Sequence, residues 1–386
     1  MIAIVLGVLL GRLLPEWFVA IFTTFNALFT SLLKFIIPLI ILGLVMPAIA
    51  DIGRSAGRLL LITVAIAYGS TVLSGLFSYA ISTTVFPQLI TPATNVDAFD
   101  TGKSIIEPYF TIPVPPIFDV MSALVLAFIG GIGMAYISLP RFHELAHEFK
   151  KLVESTISAV IIPLLPIYIF GIFLDMTRTG QAWHIMMTFA AIIGVIFAMH
   201  IALLLIQYCI AGIVARRNPI RMLATMLPAY FTALGTSSSA ATIPVTLRQA
   251  IKMGVSEDIA GFSIPLCATI HMSGSCMKII ACSVALMLMQ SMPFTTPMFI
   301  GFIFMLAIIM VASPGVPGGA IMAALGLLSS MLGFGEQDCA LIIAIYIAMD
   351  SFGTACNVTG DGAIAIVINQ LRRKTTQETA AEKAIS

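Results

Sequence analysis

The stretch AMDSFGTACNVTGDGAIAI, residues 348–366, plants Asp350, Thr354, Asn357 and Asp361 in an otherwise apolar run. Their spacing of 4, 3 and 4 residues sets all four on one face of an α-helix. Apolar flanks reach from Leu341 to Ile368, long enough to cross a hydrocarbon core of roughly 30 Å. A carboxylate at that depth costs roughly 3 kcal/mol on insertion scales, so two on one stripe require an explanation. The expected explanation is that they line a pathway for a solute or an ion.

The rest of the chain has the same character. Of its 386 residues, 59% are hydrophobic and 10% charged, against roughly 25% charged in an average soluble domain. Apolar runs of spanning length recur along it, which makes it an all-α polytopic membrane protein surrounded by lipid. A net charge of +1 and the lack of a basic stripe exclude a nucleic-acid partner. The six cysteines sit singly in apolar segments, without CxxC spacing, and read as small buried hydrophobes. Met1 to Leu14 shows no A-x-A-like cleavage site, so no cleavable leader is expected. That segment is short for a span, and the first helix is expected to be clipped. The sequon Asn357–Thr359 lies at membrane depth and is not an acceptor for glycans.

Apolar stretches fall near 1–14, 18–47, 57–86, 118–138, 153–175, 182–214, 258–291 and 340–368, about eight spans. Two more, near 219–256 and 295–335, are broken midway by small polar residues, Gly or Pro, and read as re-entrant helical hairpins. The proline-rich segment 87–117 reads as an extramembrane connection, and the polar tail 374–386 is expected to fray. With both termini inside, fourteen of the nineteen basic residues fall on the cytoplasmic side, from Arg54 and Arg58 to Lys383. This count works only if the hairpins dip in from opposite faces, which is the arrangement of inverted repeats in a transporter.

Three interruptions carry the chemistry. The first hairpin tip is TSSSAATIPV, residues 236–245, where small hydroxyl residues allow close helix approach and offer hydroxyls to a polar solute. Plain helix packing uses the same residues. The second tip is SPGVPGGA, residues 313–320, where Pro314 and Pro317 end a helix and the glycines free the backbone. Open backbone at membrane depth is tolerated where it lines a cavity or is buried in protein, so a gate, a cation site or a bend is expected. In ATIHMSGSCMK, residues 268–278, Ser273-Gly274-Ser275 is expected to break a helix between His271 and Lys278. His271 is read either as a hydrogen-bonded structural residue or as a proton carrier. Lys278 is expected to pair with an intramembrane acid.

In order and spacing, these features resemble the dicarboxylate/amino acid:cation symporters, the glutamate-transporter family, over essentially the whole length. TSSSAATIP and GVPGG look like its two hairpin tips, ATIHMSGS like its A-T-I-N-M-D-G-T, and DSFGTACNVTGD like its D-M-G-R-T-M-V-N-V-T-G-D. The resemblance implies an elevator-type homotrimer of inverted repeats. The scaffold would be approximately 1–50 and 118–178, and the transport core approximately 55–86 and 182–371. It assigns Asp350 and Thr354 to the substrate's amino group, and Asn357 and Ser275 to its α-carboxylate. Ser237, Ser238, Ser239, Gly315, Val316 and Pro317 at the tips complete that site.

The departure from the family pattern is Gly353, which stands where acidic-substrate members carry an arginine. Losing a bidentate guanidinium removes most preference for aspartate or glutamate. The expected cargo is therefore a small neutral amino acid such as serine, threonine or alanine, as in the neutral, serine/threonine-like branch. The resemblance also implies sodium as the coupling ion. One site would use Asn357 and Asp361, and a second the carbonyls of Thr269, Met272 and Ser313. A third site at Ser70 and Thr71 is weakened, because Ser273 and His271 replace its aspartate and asparagine. Fewer sodium ions per cycle are expected, or a proton carried through His271, or a tethered charge on Lys278. Dicarboxylate or acidic amino acid symport is the alternative if Lys278 replaces the arginine. An intramembrane serine hydrolase is disfavoured because Ser273 and Ser275 form no nucleophile motif, and a passive channel or receptor would show uncoupled flux. The expected location is the plasma membrane, or the inner membrane of a Gram-negative cell.

Overall fold

A computed structural model of the chain describes residues 2–11, 13–54, 58–90, 106–178, 182–313 and 317–385. Among these residues every regular element is helical. The first half holds α1 (Ile2–Leu10), α2 (Glu16–Arg54), α3 (Arg58–Leu89), α4 (Val120–Tyr136), α5 (Pro140–Thr156), α6 (Ile162–Arg178) and α7 (Ala182–Ala215). The second holds α8 (Pro219–Thr236), α9 (Ser239–Lys252), α10 (Glu257–Ile270), α11 (Ser273–Met289), α12 (Thr296–Ala312), α13 (Gly319–Leu332), α14 (Glu336–Ala348) and α15 (Asp350–Ile385).

Among the described residues, six helical stretches are long and apolar enough to cross a bilayer: Glu16–Asp51, Leu59–Leu89, Pro140–Asp175, Phe189–Ala215, Glu257–Met289 and Asp350–Arg372. The chain is a multi-pass membrane protein. Packing falls into two groups. Helix α2 lies against α4, α5 and α6, with α1 on α6; α3 and α7 to α11 gather around α15. Helices α12 to α14 bridge the groups, touching α3 and α11 on one side and α2 and α6 on the other. Helix α11 is the axis of the second group, since all but one of its residues are buried. Hydroxyls spaced by four residues on α3 bind it there: Ser74 Oγ donates to the Ser273 carbonyl at 2.9 Å and Ser78 Oγ to the Met277 carbonyl at 2.8 Å.

Four boundaries differ from the sequence reading, each for a local reason. The charged segment after Ile137 is an amphipathic helix, α5, rather than a turn. It starts on Pro140, the favoured first helical position. It joins α6 through one π-helical turn, Ile157–Ile161, just before Pro163, whose missing N–H breaks the regular ladder. The last span is not one helix: it is interrupted at Met349, which separates α14 from α15. The break near His271 falls at His271 and Met272, while Ser273, Gly274 and Ser275 form the first turn of α11. Finally, α15 carries on through the polar tail to Ile385, where fraying was expected.

Both helical hairpins are present. Helices α8 and α9 pack on each other around a tip at Ser237 and Ser238, where Ser237 adopts the left-handed conformation (φ 51°) and Ser238 Oγ caps α9 by accepting from Ala241 N. Helices α12 and α13 pair likewise, and α13 starts from Gly318 at φ 72°, which only glycine adopts without strain.

Candidate functional site

The two tips end on neighbouring residues of one helix turn. Ser237 Oγ lies 2.8 Å from Ser351 Oγ, and Gly318 N donates to Asp350 Oδ2 at 2.8 Å. The first turn of α15 is thus the meeting point of both hairpins. Its polar face continues inward as the spacing predicts: Asp350, Thr354, Asn357 and Asp361 are all buried.

Asn357 faces the start of α11. Its Oδ1 accepts from Gly274 N at 2.8 Å and from Ser275 N at 3.3 Å, satisfying two orphan donors of a helix N-terminus. Its Nδ2 donates to Ser275 Oγ at 3.0 Å. This contact requires Gly274: a Cβ there would sit 2.8 Å from Cys356 Cβ and from the Gly353 carbonyl oxygen. Serine as N-terminal residue and glycine as contact residue therefore have separate tasks in one motif.

Each acid of the stripe meets a base from the α10–α11 segment. His271 Nδ1 lies 2.9 Å from Asp361 Oδ1, both side chains being buried. Lys278 Nζ lies 3.4 Å from Asp350 Oδ1, donates to the Met349 carbonyl at 3.3 Å, and sits 3.7 Å from the Tyr346 ring centroid. The same carbonyl also accepts from Phe352 N at 3.1 Å and Gly353 N at 3.3 Å, where α15 begins. Lys278 is 0% exposed. A buried charge without a partner would be costly, and these pairings supply the partners.

The volume beside Gly353, which the sequence reading left open for a small side chain, is filled by Lys278. A Cβ on Gly353 would run into Lys278 Cε and stand 2.5 Å from its Nζ. Phe352 turns away to an edge-on contact with Phe197.

Around His271 lies a second polar cluster. His271 Nε2 is 3.1 Å from Ser70 Oγ, and Gln207 Nε2 donates to Ser70 Oγ and Ser273 Oγ, each at 3.2 Å. Gln207 Oε1 is buried without a donor among the described residues. Tyr208 donates to the Thr359 carbonyl at 2.8 Å. Gln207, Tyr208 and Tyr346 were not singled out in the sequence, where a lone polar or aromatic residue in an apolar run carries no periodic signal.

Other expected site residues are placed differently. Thr71 bonds back to the Ala67 carbonyl of its own helix rather than joining Ser70. Thr269 Oγ1 donates to the Leu266 carbonyl, Met272 is buried at the break, and Ser313 is buried at the end of α12. Ser239 is buried and Pro317 exposed. Gly315 and Val316 lie outside the described residues.

Comparison with known proteins identifies the family. The model of the sodium:dicarboxylate symporter family matches residues 1–371. Among curated relatives, a serine/threonine transporter SstT of Acinetobacter baumannii is 27% identical over 379 residues, covering 93% of this chain and 92% of that protein. The SstT of Streptococcus suis is 28% identical over 289 residues, covering 72% and 79%. The chain belongs to the sodium:dicarboxylate symporter family, and is a transporter rather than an enzyme.

Proposed function

We propose that this transporter couples an inward cation gradient, sodium first, to uptake of a small neutral amino acid such as serine, threonine or alanine. The observation that carries the reading is the convergence of both hairpin tips on Asp350 and Ser351, two turns along α15 from Asn357 and its partner Ser275. A carboxylate for an ammonium and amide and hydroxyl donors for a carboxylate then lie between two gates. The serine/threonine transport for which the SstT relatives are named supports the same class.

For the cation, the oxygens around His271 suit a hard ion: the Asp361 carboxylate, Ser70 Oγ, Ser273 Oγ and the donorless Gln207 Oε1. His271 competes for Asp361, which supports fewer sodium ions per cycle, with a proton through His271 as the alternative coupling. The group around α15 is the moving transport core. The group around α2 is the fixed frame of a homotrimer in the plasma membrane, or the inner membrane of a Gram-negative cell, with both termini cytoplasmic.

A second reading rests on one observation: Lys278 fills the space in which acidic-substrate relatives hold their arginine, so a cation remains available for a second substrate carboxylate. Uptake of labelled serine, threonine, alanine and aspartate into proteoliposomes, under a sodium or a proton gradient, separates the readings. Sodium-driven serine uptake supports the first, aspartate uptake the second, and proton-driven uptake shifts the coupling to His271.

A further inference from the structure

The pairing of Lys278 with Asp350 occupies the subsite that the preceding reading gives to the substrate's ammonium, and the inference here rests on that reading. We infer that Lys278 is a tethered stand-in for the substrate's ammonium: it neutralises Asp350 while the site is empty and yields to the incoming zwitterion. Three features support the exchange. Lys278 makes three contacts, and only the one to Asp350 must be given up; the Met349 carbonyl and the Tyr346 ring can keep the ammonium. Asp350 keeps Gly318 N on its other oxygen, so the second hairpin tip stays attached while the cation changes. Gly353 gives the lysine room to lie alongside α15.

The charges balance in both states. Empty, the pair sums to zero. Loaded, the substrate adds one ammonium, received by Asp350, and one carboxylate, held at Ser275 and Asn357 one helical turn from Lys278. A net-neutral zwitterion is therefore the matching cargo, and an acidic amino acid would leave one charge uncompensated. An empty core with a bare buried carboxylate would cross the membrane slowly; with Lys278 in place it returns without cargo. Lys278 thus matters most to net uptake; in exchange the substrate's ammonium takes over Asp350, and Ser275 and Asn357 still offer donors to the carboxylate.

The test compares wild type with Lys278→Met in proteoliposomes under one sodium gradient. Labelled serine enters either empty vesicles (net uptake) or serine-loaded ones (exchange). Net uptake should fall about tenfold or more, as expected for an uncompensated buried charge, and exchange should fall by a clearly smaller factor, because the loaded core keeps the substrate's ammonium on Asp350. Equal loss of both, or loss of neither, overturns the inference. A thermal-melt cycle on the empty protein covers the case of a misfolded variant. Lys278→Met should lower Tm, and adding Asp350→Asn should restore it; if it does not, the lysine serves packing alone and the inference fails. A wild type that moves no zwitterion at all would instead sink the underlying reading of the substrate.

A separate observation carries a second proposal. His143 and His147, one turn apart on α5, each place Nε2 3.0 Å from the same Asp51 Oδ1 of α2, and all three donor atoms lie within 4.8 Å of one another. We propose that this trio binds a divalent transition-metal ion such as Zn²⁺. Bonds of about 2.0–2.1 Å to each ligand put tetrahedral donors roughly 3.3 Å apart, close to the 3.0 Å from each Nε2 to Asp51 Oδ1. The partial exposure of all three leaves a coordination position for water. The ion would tie α5 to α2, away from the α15 stripe. Titration of the purified protein with ZnCl₂ in a calorimeter should show one site per chain, absent in His143→Gln/His147→Gln, with serine uptake of that variant unchanged. Binding that persists in the variant, or no binding by wild type, refutes it.

Discussion

His271 and Asp361 are hydrogen-bonded at 2.9 Å, one from the break between α10 and α11 and one from three helical turns below the start of α15. The imidazole thereby takes one oxygen of the carboxylate that a cation would use. Replacing it with the family's amide, His271→Asn, should release Asp361 and make uptake more steeply dependent on sodium. A rise in the Hill slope for sodium-stimulated serine uptake is the expected result; an unchanged slope would show that Asp361 does not face the ion.

Gln207 Oε1 is a further neutral oxygen at that cluster, beside Ser70 Oγ and Ser273 Oγ. Gln207→Leu removes it and both donors to Ser70 and Ser273. Losing a buried amide's partners costs about 1–3 kcal/mol, which corresponds to roughly tenfold to a hundredfold weaker sodium activation. The sodium concentration for half-maximal uptake is the readout, and it should move while the substrate KM at saturating sodium moves less.

Gly353→Arg alone should not confer aspartate uptake, because Lys278 already lies where the new side chain would start. Combined with Lys278→Met, the guanidinium gains space and the double variant should transport aspartate in competition assays. Aspartate transport by the single variant would mean that Lys278 moves aside at little cost.

Gly274→Ala should destabilise the core by about 1–3 kcal/mol, the usual cost of overpacking, since the methyl would press on Cys356 and the Gly353 carbonyl. A lowered Tm in detergent, with serine uptake falling further than the folded fraction, checks it.

Asn357→Ala leaves the N–H groups of Gly274 and Ser275 without their acceptor. Serine uptake should vanish. Asn357→Asp should preserve the fold better than alanine yet still fail to bind the substrate's carboxylate, since two like charges would face each other. Equal serine affinity in Asn357→Asp and wild type would remove Asn357 from the site.

The α15 stripe and the two hairpins were legible in the sequence because each leaves a periodic or compositional trace: polar residues at helical spacing, and Ser, Gly and Pro in mid-span. Helix α5 was missed because its charges look like a cytoplasmic turn, although Phe142, Leu145, Phe149 and Leu152 recur in it at helical spacing. The break was misplaced by two residues because serine serves equally as a breaker and as a first-turn residue; what decides is Asn357, eighty-odd positions away, accepting from that turn. The filling of the Gly353 space was illegible for the same reason. It depends on Lys278 lying across from α15, a contact that neither residue announces locally.

The two tips are fastened with bonds of equal length, 2.8 Å each, to consecutive residues of one turn. One latch is a hydroxyl pair and the other an N–H held by a carboxylate, but neither is coupled to a fuel, so the direction of net transport comes from the gradients alone. Such a carrier is a reversible machine: collapse the gradients and it drains the cell of the solute it had accumulated. Its host must therefore hold the ion gradient, or consume the cargo promptly, to make the device an importer.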